Sequence, residues 1–203
     1  IMERVGLASF TLRSQQDFTA MIEKANRWLA RHPHLRAYPR CGDVKNMYTE
    51  LPHDELLRAI EWICTKFAET HHTAYVTVQR AKRGMVLNGR RRRSGWVQLA
   101  LSDISTILRF DIANAMLLVG GRIYSQRKGI PMGSPCSPPL SNLICMLYEC
   151  PFVRDELQPM TRDFDPAPEA IAFIGRFFDD TTAFFLLSLP HDEALRATAG
   201  MWR

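Results

Sequence analysis

Apolar positions recur at helical spacing soon after the start of the chain. In "QQDFTAMIEKANRWLARH", Phe18, Met21, Ile22, Ala25, Trp28 and Leu29 share one face of an α-helix, and Ser14 or Asp17 is placed to cap it. "HLRAYPRCGDVKNMYTELP" then reads as a short strand centred near Cys41 to Val44 and broken at Pro52. Pro52 suits a helix's first turn, where Asp54 and Glu55 favour the helix dipole. Leu56, Leu57, Ile60, Ile63, Cys64 and Phe67 give that helix its apolar face, about four turns long by its period.

The middle of the chain is more extended. "AYVTVQRAKRGMVLNGRRRRSGWVQLAL" predicts two extended pieces around a turn rich in glycine and arginine. Ser102 and Asp103 can cap a helix running to about Leu117, and "LLVGGRIYSQR" predicts a strand pair bending at Gly120 and Gly121. "KGIPMGSPCSPP" reads as a loop, because its glycines and prolines interrupt regular structure. It leads into a helix whose face is Leu140, Leu143, Ile144, Leu147 and Tyr148. After the polar linker "QPMTRDFDPAPEA", the stretch "IGRFFDDTTAFFLL" predicts a strand, a turn made of two aspartates and a second strand. This order predicts an α+β fold with helices on one face of an antiparallel sheet.

"LPHDELLRAI" and "LPHDEALRAT" are nearly the same, but their flanks are not. They read as one way of starting a helix used twice, which makes His53 and His191 first-turn surface residues. His71 and His72 fall at a helix end, where imidazole suits the dipole. The five cysteines form no Cys-x-x-Cys pair, so free and mostly buried thiols are expected rather than a disulfide framework or zinc ribbon. No stretch reaches the roughly 18 uninterrupted apolar residues of a membrane span, and the first residues lack a signal peptide's apolar core. A soluble intracellular protein is the expectation.

Charge then changes the picture. The net charge is +5, and between Glu69 and Glu149 the only acids are Asp103 and Asp111. The same region carries Arg80, Lys82, Arg83, Arg109, Arg122, Arg127 and Lys128, with Arg90, Arg91, Arg92 and Arg93 in one run. That run alone would be a solvated loop or a localisation signal. The wide acid-free zone around it points to a polyanion, and nucleic acid is the class implied.

Against that basic background, Asp179 and Asp180 stand out inside an apolar run. Burying an unpaired carboxylate costs several kcal/mol, so a hairpin turn is their natural place. There they are either a solvated tip or a pair of hard oxygen donors suited to Mg²⁺. Asp43 ends another short strand, and neighbouring strands lie roughly 4.8 Å apart. Three aspartates from two strands are a plausible cage for two metals that activate a hydroxyl and stabilise a leaving pyrophosphate.

In order and spacing, "GDVKNMYTELPHDEL", "QRKGIPMGSPCSPPLSNLICMLYE" and "RFFDDTTAFF" resemble the palm motifs of reverse transcriptases. The first, with the approach "SFTLRSQQDFTAMI", looks most like the Penelope-like retroelement branch, a group related to telomerase. The resemblance implies a polymerase palm with helices packed on one face of an antiparallel sheet in a ferredoxin-like arrangement, fingers and thumb largely missing. It implies RNA-templated DNA synthesis on a DNA primer from dNTPs, with two Mg²⁺ ions, Mn²⁺ being an alternative. Asp43, Asp179 and Asp180 would be the metal-binding catalytic trio, joined by the backbone carbonyl of Val44. Tyr48 would lie under the incoming sugar and exclude a 2′-hydroxyl, although as a bare residue it could equally be a core aromatic.

Gln126, Gly129, Pro131, Met132, Gly133 and Ser134 match the loop beneath the template base and primer, Ser134 as a contact to the nucleic acid. Arg127 and Lys128 would add phosphate contacts, as would Arg90 to Arg93. Glycine in such a loop lets backbone approach the nucleotide closely. Phe178 and Lys45 depart from the residues common at their positions in the family, which bears on efficiency and fidelity rather than reaction type.

The whole of 1–203 is thus expected to be a reverse transcriptase domain fragment. Residues 1–36 are the lead-in helix region and 37–68 the first aspartate motif and helix. Residues 69–101 form a basic insertion, 102–150 a helix, the template and primer loop and a further helix, and 172–203 the paired-aspartate hairpin and following helix. With no fingers segment ahead of Phe10 and too little chain for a thumb, weak or no processive polymerisation is expected from these residues alone. A nuclear location follows from the retroelement resemblance and the Arg90 to Arg93 run. Two rivals stay in play: an RNA-dependent RNA polymerase, disfavoured by Tyr48 and Phe178, and a non-catalytic nucleic-acid-binding remnant of a polymerase palm.

Overall fold

A computed structural model describes residues 1–80, 86–87, 95–157 and 170–199. The elements begin with α1 (Met2–Val5), α2 (Gln15–Arg31), β1 (Arg36–Asp43), α3 (Met47–Glu50), α4 (His53–His71) and β2 (Tyr75–Gln79). They continue with β3 (Val86–Leu87), β4 (Trp96–Ala100), α5 (Leu101–Ala113), β5 (Met116–Val119), β6 (Arg122–Ser125) and α6 (Ser137–Phe152). Last come β7 (Ala170–Phe177), β8 (Asp180–Leu187) and α7 (His191–Ala199). They form two compact units, one of Ile1–Leu7 with Asn46–Leu147, the other of Ala8–Lys45 with the chain from Tyr148 onward. The architecture is α+β and antiparallel throughout the named sheets. No described helix is long and apolar enough to cross a membrane.

In the first unit, Leu56, Ile60 and Ile63 of α4 pack with Ile112, Ile130, Leu140, Leu143 and Ile144. Pro52 precedes α4, Asp54 and Glu55 occupy its first turn, and His71 and His72 close it as the dipole argument requires. β2 is the middle strand of a small sheet in the order β3-β2-β4. The hairpin β5–β6 turns at Gly120 and Gly121, both at positive φ. Two expectations need correction. α5 stops at Ala113 rather than near Leu117, because the Asn114 amide bonds back to the Phe110 carbonyl and Met116–Val119 pairs as a strand. α6 begins at Ser137, so Pro138 and Pro139 sit in its first turn instead of the preceding loop, where no intrahelical N–H is needed.

The second unit is built on a three-stranded sheet in the order β1-β8-β7. β1 starts at Arg36, earlier than the strand expected near Cys41, and it tolerates Pro39 because it is an edge strand. The expectation of helices on one face only is also corrected. Register puts Tyr38, Ala183, Phe185, Leu187, Ala172 and Ile174 on one face, packed with Ala194 of α7. Alternate residues on the other face meet α2 and the segment leading into it: a Cβ on Gly175 would lie 3.0 Å from Met21 Sδ of α2 and 2.7 Å from Leu12 Cδ1. Burial on both faces is why β8 reads as a continuous apolar run rather than an alternating one. α2 itself follows its sequence, with the Ser14 side chain accepting from the Asp17 N–H.

All five cysteines are free, but they are less buried than expected: Cys41 is exposed and the other four are half-buried. Burial, with the Glu149 charge beside it, pushes the Cys150 thiol up to about 11, so it stays protonated and unreactive at neutral pH.

Candidate active site

In the second unit, antiparallel pairing sets Asp43, the last residue of β1, directly opposite Asp180, the first residue of β8. Opposed residues in an antiparallel pair project on the same face with their Cβ atoms roughly 5 Å apart, and two like charges there repel. Beyond the pair, the Val44 N–H donates to the Asp179 carbonyl at 2.9 Å, which ties the end of β1 to the hairpin turn.

That turn differs from the one expected. Phe177 pairs with Asp180, so the two turn residues are Phe178 and Asp179, and only one aspartate is in the bend. Phe178 takes φ +55°, a conformation that L side chains rarely adopt. Asp43 and Asp180 are exposed and Asp179 is half-buried. These carboxylates and the Val44 carbonyl are hard oxygen donors of the kind Mg²⁺ takes, so the donor set fits that ion. Even so, no three Asp, Glu, His or Cys side chains among the described residues stand close enough together to hold a metal. The backbone gathers the three aspartates at one end of one sheet without closing a cage.

Tyr48 and the glycine loop belong to the first unit. Tyr48 lies half-buried in α3, and the loop is bonded to its backbone: the Ile130 N–H donates to the Tyr48 carbonyl and the Gly129 N–H to the Leu51 carbonyl, both at 2.7 Å. His53 Nε2 donates to the Gly129 carbonyl at 2.8 Å, and Lys128 pairs with Glu50. Gly129 is at φ +77°, and a Cβ there would come within 2.5 Å of the Tyr48 carbonyl oxygen. This glycine is therefore required by the chain's own backbone, a reason different from the close approach of a nucleotide. A Cβ on Gly133, by contrast, would meet nothing within 4 Å beyond its chain neighbours, and Met132 is 78% exposed.

The rest of the loop is mixed. Gln126 Oε1 is buried with no hydrogen-bond partner among the described residues. The Pro131 carbonyl accepts from the Ser134 N–H and the Ser137 hydroxyl. Ser134 Oγ donates to Asp111 at 3.3 Å and accepts from the Cys136 N–H, so its hydroxyl is engaged inside the protein. Burial, then the Asp111 charge, raises the Cys136 thiol. Arg127 is exposed. Arg90, Arg91, Arg92 and Arg93 lie outside the described residues.

His53, Glu149 and Arg176 have roles here that the sequence pattern does not announce. The first looked like a surface residue, yet it fastens the loop. The signal for Arg176 was an arginine inside an apolar strand; its side chain is only 3% exposed and is paired with Glu149.

No protein-family model and no curated protein matches the chain. Solved structures do. Telomerase from Candida albicans, in complex with the TWJ fragment of telomeric RNA, matches 95% of this chain at a TM-score of 0.61 and 17% identity. Telomerase from Candida tropicalis with its TWJ fragment matches 95% at 0.61 and 16%. Apo telomerase from Candida tropicalis, truncated from its C-terminal domain, matches 94% at 0.55 and 16%. The chain shares its fold with telomerase. It spans less than a third of the length of those telomerase chains, at 29%, 27% and 32% of each.

Proposed function

We propose that the chain is the palm of a reverse transcriptase of the Penelope-like branch, which transfers deoxynucleotides from dNTPs to a DNA primer on an RNA template. The observation that carries this reading is the pairing of Asp43 with Asp180, next to Asp179 in the turn, on a fold shared with telomerase. Asp43, Asp179, Asp180 and the Val44 carbonyl would hold two Mg²⁺ ions, which supply charge neutralisation for phosphoryl transfer. The chain's own residues do the positioning. Tyr48, whose carbonyl accepts from the loop's Ile130 N–H, would select the deoxy sugar, and Gln126 would lie with the rest of the loop beneath the template base and primer. Arg127 and Lys128 would meet phosphates, with Arg90 to Arg93 adding basic charge and a nuclear address.

A second reading, a non-catalytic nucleic-acid-binding remnant, is favoured by one observation: no three metal-competent side chains among the described residues stand close enough together to hold an ion. Primer extension separates the two. The chain is given a primed RNA template, Mg²⁺, and dNTPs or NTPs in parallel, with Asp179→Asn as control. Non-processive addition of single dNTPs is the expected result, falling about a hundred- to a thousandfold in the control. Extension with NTPs alone points to an RNA polymerase, and tight template binding without extension to the remnant.

A further inference from the structure

Arg176 and Glu149 form a buried ion pair in the second unit, 3% and 12% exposed respectively. Burying such a pair carries a desolvation cost that its mutual attraction often fails to offset, so the pair is poorly explained by stability alone. Its remaining hydrogen bonds suggest another use. Arg176 Nη1 donates to the Phe178 carbonyl at 2.7 Å, and Nη2 donates to Thr11 Oγ1 and to Glu149 Oε2, each at 3.2 Å. Nε donates to Glu149 Oε1. Glu149 Oε2 also accepts from the Phe10 N–H at 3.2 Å. The Arg176 backbone pairs with the same segment, its N–H donating to the Phe10 carbonyl and its carbonyl accepting from the Leu12 N–H.

The Phe178 carbonyl belongs to the peptide unit before Asp179, and the Asp179 carbonyl to the unit after it. Arg176 holds the first, and the Val44 N–H holds the second. With both flanking peptide planes fixed, the backbone of Asp179 has one conformation, and the direction of its Cβ follows from that. Phe178, at φ +55°, sits in a conformation that persists only where surrounding contacts over-determine it. Strand alternation puts Arg176 on the face opposite Asp43 and Asp180, since it is aligned with Thr181 and Gly42. The guanidinium therefore reaches the turn without competing for the carboxylates' space. Lysine, a single rotating ammonium, has no fork with which to bond Glu149, Thr11 and Phe178 together.

We infer that Arg176 and Glu149 are positioning residues that fix the direction of the Asp179 carboxylate for metal binding. This rests on the polymerase reading for its purpose, though not for its geometry. The test uses the full chain carrying Arg176→Lys or, should that variant not fold, Glu149→Gln, with two readouts. The first is hydrogen exchange at the Val44 amide and across 177–181. The second is Mn²⁺ binding followed by electron paramagnetic resonance, with Asp179→Asn as reference.

The inference expects faster exchange at Val44 and the turn, with α2 and α7 unchanged. It also expects Mn²⁺ binding weakened on the order of tenfold, as when an outer-shell partner is lost. Unchanged turn exchange overturns it, and so does a uniform rise across the whole sheet, which would mark the pair as a general fold support. Unchanged Mn²⁺ affinity despite a loosened turn overturns it too. If wild type and Asp179→Asn bind Mn²⁺ alike, the polymerase reading has lost its metal site, and the exchange data alone decide whether the pair sets the turn.

Discussion

Among the described residues, two hairpins have two-residue turns, and they are held by different physics. β5–β6 turns through Gly120 and Gly121, at φ +56° and +76°, the residues a twisted hairpin favours. Its strands are exposed, with Leu118 at 74% and Ile123 at 72%. β7–β8 turns through Phe178 and Asp179 with Phe178 at positive φ, yet its strands are covered on both faces and Ala183 and Leu186 are fully buried. Local preference shapes the first turn. In the second, tertiary contacts impose a conformation that its residues would not choose, and that is where the aspartates are.

The largest expected effect breaks the second hairpin. Arg176→Met leaves the Glu149 carboxylate buried without its partner, and a loss of about 3–5 kcal/mol is expected in denaturant unfolding. Next comes the first hairpin: Gly121→Val places a β-branched residue at φ +76° and should cost about 1–2 kcal/mol, with exchange rising locally in 116–125. The smallest change sharpens the contrast. Phe178→Gly relieves the positive φ but loosens the unfolded chain, so stability should move by less than about 1 kcal/mol. A large loss in Phe178→Gly, or none in Gly121→Val, would reverse the assignment of local and tertiary control.

The difference also explains what the sequence could disclose. α2 with its Ser14 cap, the start of α4 at Pro52 and the Gly-Gly turn rest on contacts within a few residues, and all were legible. That Asp43 ends a strand was legible as well. Its register against Asp180 was not, because pairing depends on which strand lies beside β1. The bend was misplaced by one residue for a related reason: "FFDD" carries no preferred turn residue, and the bend is set by Phe177 pairing with Asp180 and by an arginine bonded to Glu149, 27 residues away. Gly129 was conspicuous, but only the folded chain reveals that the Tyr48 and Thr49 backbone takes the space. Helices on both faces of the β1-β8-β7 sheet could have been inferred from the unbroken run "AFFLL", which alternation onto one solvated face would not produce.

The proposed function requires the opposed carboxylates of Asp43 and Asp180 to be a cation site. Thermal unfolding of wild type and Asp43→Asn, with and without Mg²⁺, tests it most directly. Without metal, Asp43→Asn should melt higher, since it removes a like-charge pair costing about 0.2–1 kcal/mol. Saturating Mg²⁺ should then raise the wild type and leave the variant where it was, because an ion that binds only the folded site stabilises by mass action. If Mg²⁺ moves both proteins equally, or neither, the aspartate pair is not a metal site.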